Sequence, residues 1–151
     1  MNHQDRLLVE TDWLAEHLHD SELRIVDIRG ATRPHDQPKP WYRAKGEEYL
    51  QGHIPGAIFI DWLEDIVEPD APVPMTLASP SRFQALMERL GVGDEHKVIV
   101  YDDDGHTAAR LWWALNYYGH PAVKLLHGGF PNGSPKVVRS LHMSLHFLQP
   151  A

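Results

Sequence analysis

Apolar residues along the chain fall into short blocks separated by turn formers, and the spacing inside each block predicts its element. Leu23-Arg24-Ile25-Val26-Asp27-Ile28 is compact and β-branched, the pattern of a buried strand. Lys97-Val98-Ile99-Val100-Tyr101 is the strongest strand signal, and Ala57-Ile58-Phe59-Ile60 and Ala122-Val123-Lys124-Leu125-Leu126 add two more. Leu14 and Leu18 lie one helical turn apart behind Thr11, a candidate N-cap. Ser79-Pro80-Ser81 opens a second helix, with a serine cap and a proline where the first N–H groups have no partner anyway. Phe83, Leu86, Met87 and Leu90 share one face of it, and Gly91 supplies the stop. A third helix is predicted from about His106 to Tyr118, closed by Gly119. Residues 30–48, with three prolines and many charges, read as a long surface loop, and residues 67–78 as an extended one.

Apolar strands alternating with amphipathic helices predict an α/β domain whose mostly parallel central sheet is flanked by helices. At least four strands and three helices are expected, in one domain over residues 1–130. Beyond it, Pro131-Asn132-Gly133-Ser134-Pro135 is a cluster of breakers, and Leu141, Met143, Leu145, Phe147 and Leu148 follow no clean period. Residues 131–151 are therefore expected to form a divergent, loosely ordered tail.

Composition narrows the function classes. An apolar share of 42% is enough for a core. A formal charge of −7 argues against nucleic acid as a partner, because phosphate contacts need clustered Lys and Arg. No apolar run approaches the roughly 20 residues of a membrane helix, so no membrane partner is expected. Met-Asn-His-Gln-Asp-Arg has no apolar stretch of the signal-peptide kind, and a cytoplasmic location is expected. The sequence contains no cysteine, which removes disulfides, thiolate metal sites and every cysteine nucleophile.

In parallel sheets, ligands sit beyond the carboxyl ends of the strands. The loops there are Asp27-Ile28-Arg29, the turn after Ile60, Asp102 to Thr107, and His127 to Phe130. In the third, a strong strand ends, Gly105 follows, and a helix begins, so backbone N–H groups favour an anion. Asp102, Asp103 and Asp104 would take that anion's place or hold a hard cation. The plainer reading makes Asp103 and Asp104 solvated turn residues and Asp102 a helix cap. Asp27 and Arg29 read as an ion pair anchoring loops. His53 reads as a hydrogen-bonded turn residue, since nothing beside it supplies a nucleophile to activate. His142 and His146 have the spacing of a helical metal pair but no third ligand, so neither a metal nor another cofactor is expected. Trp112, Trp113, Tyr117 and Tyr118 are expected in the core and in contacts with a partner domain.

Tyr49-Leu50-Gln51-Gly52-His53-Ile54-Pro55-Gly56-Ala57 resembles the signature of the rhodanese family. Ile25-Val26-Asp27-Ile28-Arg29 resembles the element that precedes it, and Val98 to Tyr101 with Ala108-Ala109-Arg110 the active-loop strand and helix. His127-Gly128-Gly129-Phe130 is similar to the family's closing turn, and Trp112-Trp113 with Gly119-His120 to the N-terminal halves of two-domain sulfurtransferases. The resemblance implies a rhodanese-like fold and, for the family, transfer of sulfane sulfur from thiosulfate or 3-mercaptopyruvate to a thiophilic acceptor. It makes Asp27, Arg29, Tyr49, Gly52, His53, Pro55 and Gly56 the structural motif. It makes Asp102 the inactive equivalent of the nucleophile, with Asp103, Asp104, Gly105, His106, Thr107 and Arg110 lining the loop and cleft.

Without a cysteine, the domain is expected to be catalytically silent alone, with a C-terminal rhodanese domain or another protein as partner. The pattern departs from the family after Phe130, where the usual tryptophan is missing. Two other functions fit the residues. One is an interaction or anion-binding module that uses an inactive cleft. The other is a Mg²⁺-dependent phosphatase with Asp102 as nucleophile and Asp104 as acid/base, although such enzymes place that strand near the N-terminus.

Overall fold

The structure, a computed structural model, describes residues 6–130. Its centre is a five-stranded, all-parallel sheet. The strands are β1 (Leu8–Val9), β2 (Leu23–Asp27), β5 (Ile58–Phe59), β6 (Lys97–Tyr101) and β7 (Val123–Leu126), in the order β1-β7-β6-β2-β5. Among the described residues, four helices accompany them: α1 (Thr11–His17), α2 (Gly46–Gln51), α3 (Pro80–Leu90) and α4 (His106–Tyr117).

Side chains alternate across the two central strands and build two cores. Val26, Val98 and Val100 point to one face and pack with Phe83, Leu86 and Leu90 of α3 and Leu111, Ala114 and Leu115 of α4. Ile25, Ile99 and Tyr101 point to the other and pack with Leu14 of α1 and Ile54. Both faces of β2 and β6 are thus covered, which is why Ile25-Val26 and Val98-Ile99-Val100-Tyr101 are apolar without alternation.

Three expectations need correction, and one strand carries no signal in the sequence. Residues 30–48 are not a single loop. They contain an antiparallel hairpin of β3 (Gly30–Thr32) and β4 (Tyr42–Ala44), followed by the start of α2. The hairpin is held from below by Trp62, whose indole N–H donates to the Arg43 carbonyl at 3.1 Å and fills the space beside Gly30. Leu8–Val9 forms an edge strand too short to leave a period in the sequence. Thr11 is the first helical residue of α1, and Glu10 occupies the cap position without a side-chain cap bond. Ser79 holds the cap position of α3, but its side chain makes no capping bond either. The expected tail, with His142 and His146, lies outside the described residues.

Candidate functional site

The carboxyl ends of β2, β6 and β7 bring the candidate loops together. Asp27 lies opposite Tyr101 in the parallel ladder, so Arg29 and Asp102 emerge at the same end of the sheet. Beneath them is a buried polar network. The Arg29 guanidinium donates to both carboxylate oxygens of Asp27, from Nε to Oδ1 at 3.1 Å and from Nη2 to Oδ2 at 2.8 Å, and to the Gly52 carbonyl at 2.7 Å. The Tyr101 hydroxyl donates to Asp27 at 2.8 Å and accepts the Ile54 N–H at 3.1 Å. Burial, and then the charge of Asp27, push the Tyr101 hydroxyl well above its ordinary pKa, so it stays a donor. The Phe130 ring covers the guanidinium at 4.3 Å. The network therefore ties β2, β6, the Gly52–Ile54 turn and the chain after β7 into one block.

His53 and Tyr49 belong to the wall of that block. Their rings stack at 3.9 Å, the His53 Nδ1–H donates to the Tyr49 carbonyl at 2.7 Å, and the Tyr49 hydroxyl donates to the Ala57 carbonyl at 2.7 Å. Gly56, at φ +82°, turns the chain after Pro55 toward β5.

Above the network lies the Asp102–Thr107 loop. The Asp102 carboxylate accepts the Gly105 N–H at 3.0 Å, the Ala108 N–H at 2.8 Å and the Thr107 hydroxyl at 3.2 Å. It sits at the N-terminus of α4, in the place a bound anion would take. Asp104 accepts the His106 N–H at 3.0 Å, and the exposed His106 ring lies 3.7 Å from the same carboxylate. Asp103 is not a solvated turn residue: its side chain is 3% exposed and pairs with Lys45, from the far side of the hairpin. Arg110 reaches the Met75 carbonyl and so fastens the 67–78 segment to α4.

The three carboxylates consequently diverge, each to its own partner. Among the described residues, no group of three or more His, Cys, Asp or Glu side chains is arranged to hold a metal ion. A depression of about 400 Å³ lies beside the loop, between Leu8, Ala108, Leu125 and the Gly128-Gly129 turn.

Burial raises the Asp102 pKa, and the N–H groups of Ala108 and Gly105 offset part of that shift. A carboxyl raised on folding binds its proton more tightly in the native state, so it costs stability at neutral pH. That cost shrinks as pH falls from the folded value toward the unfolded value of about 3.9. Wild type should therefore gain stability relative to Asp102→Asn between pH 7 and pH 4, read from paired urea titrations. Parallel pH profiles for the two proteins would refute the assignment.

Lys45, Tyr101 and Phe130 were not among the site residues expected from sequence. Lys45 meets Asp103 across 58 positions, which no local spacing reveals. Tyr101 is the last residue of an apolar strand, and only its hydroxyl distinguished it from core.

The profile of the rhodanese-like domain family matches residues 10–134. The chain is 41% identical over 122 residues to the 3-mercaptopyruvate sulfurtransferase of Escherichia coli K12, covering 80% of this chain and 41% of the relative. It is 34% identical over 134 residues to the thiosulfate sulfurtransferase of Rattus norvegicus, covering 84% of this chain and 42% of the relative. The crystal structure of SseA from Escherichia coli, described as a 3-mercaptopyruvate sulfotransferase of rhodanese fold, superposes with a TM-score of 0.71 at 35% identity. That match covers 95% of this chain and 50% of SseA. The chain thus spans about two fifths of the length of these curated relatives.

Proposed function

The chain belongs to the rhodanese-like domain family, and on that premise we propose that it acts as the nucleophile-free half of a two-domain sulfurtransferase. In this reading it shapes and closes a cleft for a cysteine-bearing rhodanese domain and carries no sulfur itself. The observation behind it is Asp102. It stands where the family resemblance places the nucleophile, and it consumes the N–H donors at the start of α4. Sulfane transfer needs a polarizable thiolate that accepts sulfur from a donor and releases it. The sequence has no thiol, and a carboxylate oxygen cannot replace one. The proposal includes a cytoplasmic setting, where acceptor thiols are kept reduced.

The full chain mixed with thiosulfate and cyanide should form no thiocyanate above the uncatalysed rate. Mixed with a separately produced cysteine-bearing rhodanese domain, it should form a complex and raise that domain's kcat/KM. Turnover proportional to this chain alone, or no complex in the presence of the catalytic domain, would sink the reading.

Asp102→Cys should not restore activity. Position 102 is 4% exposed, and the substitution removes the acceptor of three hydrogen bonds. Sequence alone suggests repulsion from Asp103 and Asp104, but Lys45 compensates Asp103, so burial is the larger obstacle. Iodoacetamide should label the new cysteine slowly in the folded protein and rapidly in urea. A kcat of about 1 s⁻¹ or more on thiosulfate, within the ordinary enzyme range, would overturn this.

A further inference from the structure

At the end of the sheet opposite Asp102, a groove of about 470 Å³ runs between α3 and the last turn of α4. Both turns that border it, Val92-Gly93-Asp94 and Gly119-His120, lead into the amino ends of β6 and β7. Its floor is apolar. Phe83 and Leu115 are buried at the bottom, Met87, Val92 and Tyr118 are partly exposed above them, and the Phe83 and Tyr118 rings meet at 4.8 Å. Its rim carries two exposed carboxylates, Glu88 and Asp94, and no Lys or Arg lines it. Glu88 touches only the neutral Gln84 amide, at 3.3 Å, and Asp94 has no ion-pair partner among the described residues.

We infer that this groove docks a basic, amphipathic segment of a partner protein, with an apolar face on the floor and Lys or Arg beside Glu88 and Asp94. The stretch of α3 from Pro80 to Glu88 is about 12 Å long, which matches roughly two helical turns of a partner. Charge sets the partner's sign: a basic segment is steered toward the rim, and an acidic one is repelled from it. The apolar floor alone would accept either. This surface is independent of the sulfurtransferase reading, because it lies away from the Asp102 loop and uses none of its residues.

The test uses the full chain and a fluorescein-labelled (Leu-Lys-Lys-Leu)₃ peptide, with (Leu-Glu-Glu-Leu)₃ as control. Binding of the basic peptide should move the backbone amide signals of Val92, Gly93, Asp94 and Gly119, and should weaken as salt is added. The double variant Glu88→Lys, Asp94→Lys should weaken it tenfold or more. Both positions are exposed, so the fold is retained, and circular dichroism verifies this. The neutral pair Glu88→Gln, Asp94→Asn should fall between. Equal binding by the acidic peptide, or an affinity unchanged by charge reversal, overturns the proposal. So does self-association through the groove. Failure of the basic peptide to bind also overturns it, as would follow if residues 131–151 of the chain itself filled the groove.

Discussion

Arg29→Ala should be among the most damaging single substitutions in this protein, costing about 3–5 kcal/mol of stability. Asp27 is fully buried, and Arg29 is its cationic partner, donating to both of its oxygens. Truncating the arginine leaves a buried carboxylate with the Tyr101 hydroxyl and the Arg29 backbone N–H as its donors. It also frees the Gly52 carbonyl and removes the cation from the Phe130 ring. Against a typical total of about 5–15 kcal/mol, such a loss approaches global unfolding. Arg29→Lys should recover only part of it, because an ammonium cannot reproduce the fork that spans Asp27 and Gly52. Urea titrations of the three proteins decide the matter, and a loss below about 1 kcal/mol for Arg29→Ala would show that the pair is dispensable.

Gly129→Ala should cost about 2–4 kcal/mol, from strain and overpacking together. Gly129 has φ +63°, and a Cβ there would stand 2.5 Å from the Asp102 carbonyl oxygen. That oxygen accepts the Phe130 N–H, so relieving the clash moves Phe130 off Arg29 and loosens the Asp102 loop together. Gly128 is the internal control. It also has positive φ, at +79°, but a Cβ there meets nothing within 4 Å. Gly128→Ala should thus cost only the backbone strain, roughly 1–2 kcal/mol. Equal melting-temperature losses for the two variants would contradict the close approach at Gly129.

What the sequence revealed follows from how local each signal is. β2 and β6 are legible because burial on both faces puts apolar, β-branched residues at adjacent positions, Ile25-Val26 and Val98-Ile99-Val100, and α3 because Pro80 and Gly91 punctuate an amphipathic face. The β3–β4 hairpin is not legible. Its strands are three residues each with only Gly30 buried, and they are kept together by Trp62, which is remote in sequence. The Asp27–Arg29 pair is readable as an anchor from its two-residue spacing. The reach of its network to Tyr101, Gly52 and Phe130 depends on the ladder that sets Asp27 opposite Tyr101. The loop shows the same limit: an N-terminal cap is a local motif, whereas the Lys45 contact that buries Asp103 exists only after the hairpin has folded over it.

The strand order has a consequence for synthesis. Leu8 pairs with Leu125 and Val9 with Leu126, so β1, the earliest strand among the described residues, must wait for β7. At about 5–20 residues per second on the ribosome, that interval is roughly 6–25 s. Throughout it the nascent chain presents an unpaired strand margin beside the apolar side of α1, well before β7 arrives to seal it. Slowing elongation between these segments lengthens that window and should raise the demand for chaperone capture, whereas a circular permutant that joins β1 directly after β7 would close it.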